Sequence, residues 1–96
     1  MASQLKRVTA DTDVTTVGSF LKSVILDTDG TNAATVVIKD GTAAGGTAIA
    51  SLRAPGAGPS VIWRAGDQQG VYVASGIGLD LTGTGAAVAV EFEQAE

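Results

Sequence analysis

The sequence predicts an all-β protein, a small β-sandwich that is jelly-roll-like and carries an extended N-terminal arm. Short strings of β-branched and small apolar residues are separated at near-regular intervals by Asp, Gly, Thr and Pro, which is typical of short strands joined by turns. In the clearest string, residues 86–93, Val88, Val90 and Phe92 occupy alternate positions, the period of a half-buried strand. Because no stretch of 11 residues has a convincing apolar period of 3.6, we expect essentially no helix.

We divide the chain into an arm over residues 1–12 and a single β-sandwich domain over residues 13–96. Within the arm, residues 4–9 form an extended segment that we place outside the core. A chain of 96 residues buries only about 60–65% of its unfolded surface, so its core alone gives modest stability. Small domains commonly add disulfides, a metal or a partner subunit. Since the chain has no cysteine and no histidine, we expect oligomerisation and no metal or other cofactor.

The strands of the domain follow from apolar runs bounded by turn residues. They are predicted over residues 14–17, 18–26, 35–39, 47–52, 60–64, 71–74, 79–82 and 86–93. The segment 18–26 is apolar on both faces except at Lys22 and Ser23, as expected for a central strand.

Three connections have distinct turn chemistry. Residues 27–32 contain Asp, Gly and Asn, and we interpret them as a hairpin turn rather than a calcium loop, because glycine and the closing glutamate are absent from the required positions. Asp40-Gly41 is a strong turn pair that opens the next connection. Residues 54–59 include two prolines and therefore cannot form a central strand.

Charge and hydropathy exclude several classes of partner. The net charge is −4 and the basic residues form no stripe, so we expect no nucleic-acid partner. The N-terminus lacks the pattern of a signal peptide, and no apolar run approaches the ~20 residues of a membrane span. We therefore expect no membrane partner and no secretion through a membrane.

The residues offer no convincing catalytic group, and we predict that the protein is not an enzyme. The serines have no histidine to activate them. Glu91 and Glu93 share one face of the last strand, where we expect ordinary solvent-facing charge rather than acid–base catalysis.

Trp63 and Tyr72 are the aromatic residues whose role the sequence leaves open. Each ring could stack on a sugar, or could pack in the core or at a subunit interface, and packing or interface is favoured. Arg64 lies beside Trp63 and either contributes a salt link at an interface or is solvated.

Four segments carry a resemblance to a known family: LKSVIL (residues 21–26), ATVVIKDGT (34–42), GTAIA (46–50) and GIGLDLTGTGAAVAV (76–90). Through them the chain resembles small virion proteins of tailed bacteriophages, namely the capsid decoration (cement) proteins and related head-fibre modules. The resemblance covers roughly residues 18–93, and its motifs are turn and strand patterns with no catalytic residue among them.

The resemblance implies a virion structural protein made in the host cytoplasm. It would bind the major capsid protein on the capsid exterior, often as a homotrimer, and stabilise the expanded shell against DNA pressure. We further hypothesise that residues 2–9 reach the capsid or an adjacent subunit by strand addition. The candidate interface residues are Leu5, Lys6, Arg7, Val8, Trp63, Arg64 and Tyr72.

The alternative is a phage head-fibre, tail-fibre or adaptor module that binds a receptor or a glycan. This alternative requires Trp63 and Tyr72 to be exposed together on one concave face.

Overall fold

The computed structural model describes residues 3–58, 60–66 and 69–95, and in these ranges it contains strands and no helix. The nine strands are β1 (Gln4–Val8), β2 (Thr12–Thr15), β3 (Ser19–Asp27), β4 (Ala34–Asp40), β5 (Thr47–Ala54), β6 (Val61–Arg64), β7 (Val71–Val73), β8 (Ile77–Thr82) and β9 (Ala87–Gln94). They form two antiparallel sheets packed face to face, which confirms the prediction of a small β-sandwich.

The two sheets have the strand order of a jelly roll. Sheet A runs β1-β9-β3-β6, with β7 also paired to β3, and sheet B runs β2-β8-β4-β5. The pairs are nested along the chain, because β4 pairs with β5, β3 with β6, β2 with β8 and β1 with β9. With β6 and β7 sharing one strand position, this is the order of the eight-stranded jelly roll.

Strand β3 lies in the interior of sheet A, as its two apolar faces predicted. On one side it pairs with β9, with a bulge between Leu21 and Ser23. On the other side β7 pairs with residues 19–21 and β6 with residues 23–26, so the break between them lies opposite Lys22. The carbonyl of Lys22 accepts a hydrogen bond from the N–H of Ala65 at 2.9 Å, which anchors the end of β6.

The core lies between the sheets and consists almost entirely of aliphatic side chains. Val24, Val36, Leu79 and Val90 are fully buried, and Phe92 adds one aromatic ring. The buried hydroxyl of Ser19 donates to the carbonyl of Val17 at 2.9 Å. No buried side-chain polar atom of the described ranges lacks a hydrogen-bond partner, so the core carries no uncompensated polar group.

The connection between β3 and β4 differs from the hairpin that the sequence predicted. These strands belong to different sheets, so the connection crosses the sandwich and the hairpin prediction is wrong. Its local chemistry is nevertheless a turn: the Asp29 carboxylate accepts the N–H groups of Thr31 and Asn32, each at 2.8 Å. The hairpin between β4 and β5 does form, and Gly41 adopts φ +125° at its start, which favours glycine.

The segment predicted as an arm contains an edge strand of sheet A. β1 pairs antiparallel with β9 of the same chain from Gln4 opposite Phe92 to Val8 opposite Val88. Val8 is buried at 8% exposure, and β2 begins at Thr12, within the segment assigned to the arm. Met1 and Ala2 lie outside the described residues, and the reach of the arm towards another molecule stays a prediction.

Candidate interaction surface

The solvent-facing side of sheet A, here called the outer A face, is defined by strand register. Residues directly opposite one another in an antiparallel pair share a face, and the pair Val24 and Val90 points into the core. The neighbouring positions therefore point outwards and form three rows across the sheet. The rows are Ile62, Ile25, Ala89 and Arg7; Arg64, Ser23, Glu91 and Leu5; and Tyr72, Phe20 and Glu93.

Large apolar side chains on this face are open to solvent. Ile62 is 52% exposed, Tyr72 55% and Leu5 72%, while Phe20 and Ile25 are half-buried. Single exposed apolar residues are normal on protein surfaces. A set of them on one sheet face is typical of a surface that associates with another molecule.

The corresponding outer face of sheet B is more polar. Its central positions carry Thr35, Lys39 and Asp80, with Val37 the apolar exception, and Arg53 lies on the edge strand beside Thr35. Lys39 Nζ lies 3.7 Å from an Asp80 carboxylate oxygen. Ile49 on the edge strand β5 is also 44% exposed. Sheet A, with Leu5, Ile62 and Tyr72 exposed on its outer face, is the side better suited to association.

Hydrogen bonds fix the acidic side chains of the outer A face. Lys22 Nζ lies 3.1 Å from Glu93 Oε1 and donates to Ser3 Oγ at 2.6 Å, so it spans the width of β9. Ser23 Oγ donates to Glu91 Oε1 at 3.4 Å. Exposed ion pairs contribute only about 0–1 kcal/mol each, so the main effect of these contacts is to position the carboxylates.

Tyr72 is held in place by its neighbours although its ring is exposed. Its centroid lies 5.3 Å from that of Phe20, with the rings tilted by 49°. Gly18 lies beneath the phenol, and a Cβ there would approach Tyr72 Oη to 2.7 Å. The aromatic pair therefore forms a packed apolar patch at one end of the face, since ring contacts of this geometry are attractive.

Four of the seven candidate residues chosen from the sequence, Leu5, Arg7, Arg64 and Tyr72, lie together on the outer A face.

The other three candidates point towards the opposite side of sheet A. Val8 is part of the core, and Trp63 is half-buried against it. Lys6 is exposed but lies on the core-facing side of the edge strand, opposite Val90.

Three residues of the face, Phe20, Ile25 and Ile62, were missed by the sequence analysis. Their signal was present, because β3 and β6 each carry large apolar residues at successive positions, which leaves an apolar side chain on both faces.

The described loops of the sandwich contain hydrogen-bonded turns. The N–H of Asn32, followed by the N–H of Thr31 and the Asn32 side chain, lowers the pKa of Asp29 below its ordinary value of 3.8. Among the residues with described positions there is no group of three side chains able to hold a metal ion, and no pocket opens between them. The same residues include no helix long and apolar enough to cross a membrane.

Comparison with known proteins gave no match to this chain among protein-family models, curated proteins or solved structures.

Proposed function

We propose that this protein is a virion structural protein, a capsid decoration or cement subunit. In this role it binds the major capsid protein on the outside of a phage head and stabilises the expanded shell against DNA pressure. The observation that supports the proposal best is the outer A face, because a sheet surface with exposed Leu5, Ile62 and Tyr72 suits association with the shell or with a second subunit.

Two further observations support the proposal. The sequence patterns of residues 18–93 resemble the decoration and head-fibre proteins, and the jelly-roll strand order is one that virion proteins use. Because a fold of this kind hosts many functions, the surface carries more of the argument than the strand order does.

Weak contacts suffice for a subunit of this kind. A capsid presents many identical sites, and modules that are linked to each other bind together far more tightly than each does alone. Self-association, which the resemblance implies as a homotrimer, supplies that linkage. Each bound copy also stabilises the shell state that it prefers, because binding to one state shifts the equilibrium towards it.

The proposal is tested with heads assembled from the major capsid protein of the phage that encodes this chain. We expect the protein to co-sediment with expanded heads more strongly than with unexpanded heads, and to raise the temperature at which expanded heads disassemble. Failure to bind either form, with no change in the disassembly temperature, would refute the capsid role.

A deletion of residues 2–9 tests the hypothesis that the arm contacts the shell. If this segment reaches the capsid or a neighbouring subunit, the truncated protein binds expanded heads more weakly. Circular dichroism of the truncated protein provides the control for folding, because β1 is part of sheet A. Undiminished binding by a folded truncated protein would refute the hypothesis that residues 2–9 contact the capsid or a neighbouring subunit.

A second candidate function is a fibre or adaptor module that binds a glycan, and exposed Tyr72 is the observation that favours it. The paired aromatic surface that this function requires is not formed, since Trp63 lies on the opposite side of sheet A from Tyr72. Glycan-array binding that is lost in Tyr72→Ala would nevertheless support this candidate over the capsid role.

A further inference from the structure

We propose that the outer A face binds a second copy of the same chain, in a two-fold symmetric pair whose axis runs parallel to β3. This association does not depend on the virion role. It assigns an occupant to the apolar surface and a symmetry to the complex.

The rows of the outer A face match one another under this symmetry. A two-fold axis along β3 keeps each row opposite itself and reverses the strand order, so β6 of one copy faces β9 of the other. Arg64 then faces Glu91 of the second copy, and Ile62 faces its Ala89, while Ile25 meets Ile25 on the axis. Each of these contacts occurs twice except the one on the axis, as in any isologous interface.

Charge complementarity distinguishes this arrangement from one whose two-fold axis is perpendicular to the strands and passes between the first two rows. That axis would place these two rows opposite one another. Ile25 would then face Ser23, Ala89 would face Glu91, and Ile62 would face Arg64. That arrangement buries Arg64 and Glu91 against Ile62 and Ala89. The axis along β3 instead pairs cation with carboxylate in the row of Ser23 and apolar with apolar in the row of Ile25, and it places Tyr72 opposite Glu93 in the third row.

The charged residues of β3 are compatible with the pair, because each is bonded within its own chain. Lys22, in the middle of the strand beside Ser23, is bonded to Glu93, and Asp27, at the end of the strand, is bonded to Ser60. Packed sheets also cross at about 30° because of their twist. The ends of the two β3 strands therefore diverge, and the closest approach is centred on Ile25 and Ser23.

The size of the outer A face sets the expected strength of the association between the two copies. Three strand positions at about 4.8 Å and the nine residues of β3 at about 3.4 Å give a projected area of roughly 440 Å² per copy. A standard stable interface buries about 800 Å² per partner. We therefore expect a dimer that forms reversibly and depends on protein concentration. Strand β1 lies at the margin of the area that the dimer would bury.

The first test is the solution mass of the full chain by sedimentation equilibrium, from about 1 μM to 1 mM. The mass is expected to rise from 9.5 kDa towards twice that value. Ile62→Lys is expected to abolish the rise. Its matched control is Ile49→Lys, which changes an isoleucine of similar exposure, 44%, on β5 of sheet B and is expected to leave the rise unchanged.

Charge reversal tests the symmetry. Arg64→Glu places like charges together at both Arg64 contacts, and Glu91→Arg does the same with the opposite sign, so each variant alone is expected to dimerise about tenfold more weakly or worse. Mixing the two variants restores an opposite-charge pair at both contacts, and native mass spectrometry is expected to show the mixed dimer in excess. Arg53→Glu on sheet B is the control for the change in net charge.

Three results would overturn the proposal, provided that circular dichroism shows folded variants. They are a wild-type protein that stays monomeric at 1 mM, a mass of three chains rather than two, and variants that fail to form the mixed dimer. A trimer would instead favour the assembly that the resemblance implies, and the binding to heads described above would be judged separately.

Discussion

Replacing Arg7 and Ala89 with cysteine would show whether β1 belongs to the sheet of its own chain or to that of another copy. The two residues are directly opposite in the β1–β9 pair and lie on the outer A face. Opposite side chains in such a pair have Cβ atoms about 4.5–5.5 Å apart, close to the roughly 3.5–4.5 Å of a disulfide. The native chain has no cysteine, so no other thiol competes.

The stabilisation follows from the length of chain that the disulfide would close. A loop of about 80 residues loses enough entropy in the unfolded state to stabilise the fold by about 4.5 kcal/mol in the chain-entropy description. Engineered disulfides often deliver less than this value. Half of it, about 2 kcal/mol, would raise the Tm of a domain of this size by roughly 8–16 °C.

The assay combines non-reducing gel electrophoresis with thermal unfolding followed by circular dichroism. We expect a cross-linked monomer whose Tm rises on oxidation and returns on reduction, while each single-cysteine variant keeps the native Tm. Covalent dimers formed in dilute protein would refute pairing within one chain and support an arm that reaches a neighbour. Thiols that stay free under oxidation would refute the β1–β9 pairing itself.

Three further perturbations test the core, one turn and one carboxylate. Leu79 is fully buried, so Leu79→Ala should destabilise the fold by about 2–5 kcal/mol. The control, Leu5→Ala, changes a side chain that is 72% exposed and should alter stability by less than about 0.5 kcal/mol. Chemical denaturation of both variants measures the difference, and equal losses of stability would contradict the assigned core. A Cβ at Gly78 would clash with the backbone of Ala43, so Gly78→Ala should displace the β4–β5 turn and destabilise the fold by about 1–3 kcal/mol. Unchanged stability in chemical denaturation, with unchanged NMR amide shifts in the turn, would show that this close approach does not exist. Backbone N–H groups hold the pKa of Asp29 below 3.8. The contribution of the Asp29 carboxylate to the stability of the fold is therefore present above that pH and is lost as the pH falls through the lower folded-state pKa. NMR titration should show the lowered pKa and Asp29→Asn should remove this part of the acid sensitivity, whereas a pKa at or above 3.8 would contradict the turn.

The strand content was predictable because local patterns determine it. In β9, Val88, Val90 and Phe92 alternate with small or acidic residues, and this period alone identifies the strand and its buried face. In β3 the apolar residues on both faces identified an interior strand. The Asp40-Gly41 pair also located the β4–β5 hairpin correctly, since that turn chemistry is local.

What the sequence could not reveal depends on pairing between distant segments. β6 carries Ile62 and Trp63 at successive positions, and either could face the core. Only the register with β3, which places Trp63 opposite Val24, decides that the indole points inwards. The Asp29 turn likewise has the same local chemistry in a hairpin as in a connection that crosses between sheets, so the pattern could not distinguish them.

The nested pairing of strands has a consequence for the route by which the chain reaches its fold. The innermost pair, β4 and β5, is joined by a short turn, whereas each pair outside it encloses a longer stretch of chain. Closing a longer loop costs more entropy. The nested strand pairs are therefore expected to form in order from the β4–β5 pair next to Asp40-Gly41 to the β1–β9 pair, which forms last. Such distant pairing places the domain among slow-folding topologies, in the range of milliseconds to seconds. The final step brings β1 alongside β9, so the outer A face acquires its full width only as the sandwich is completed.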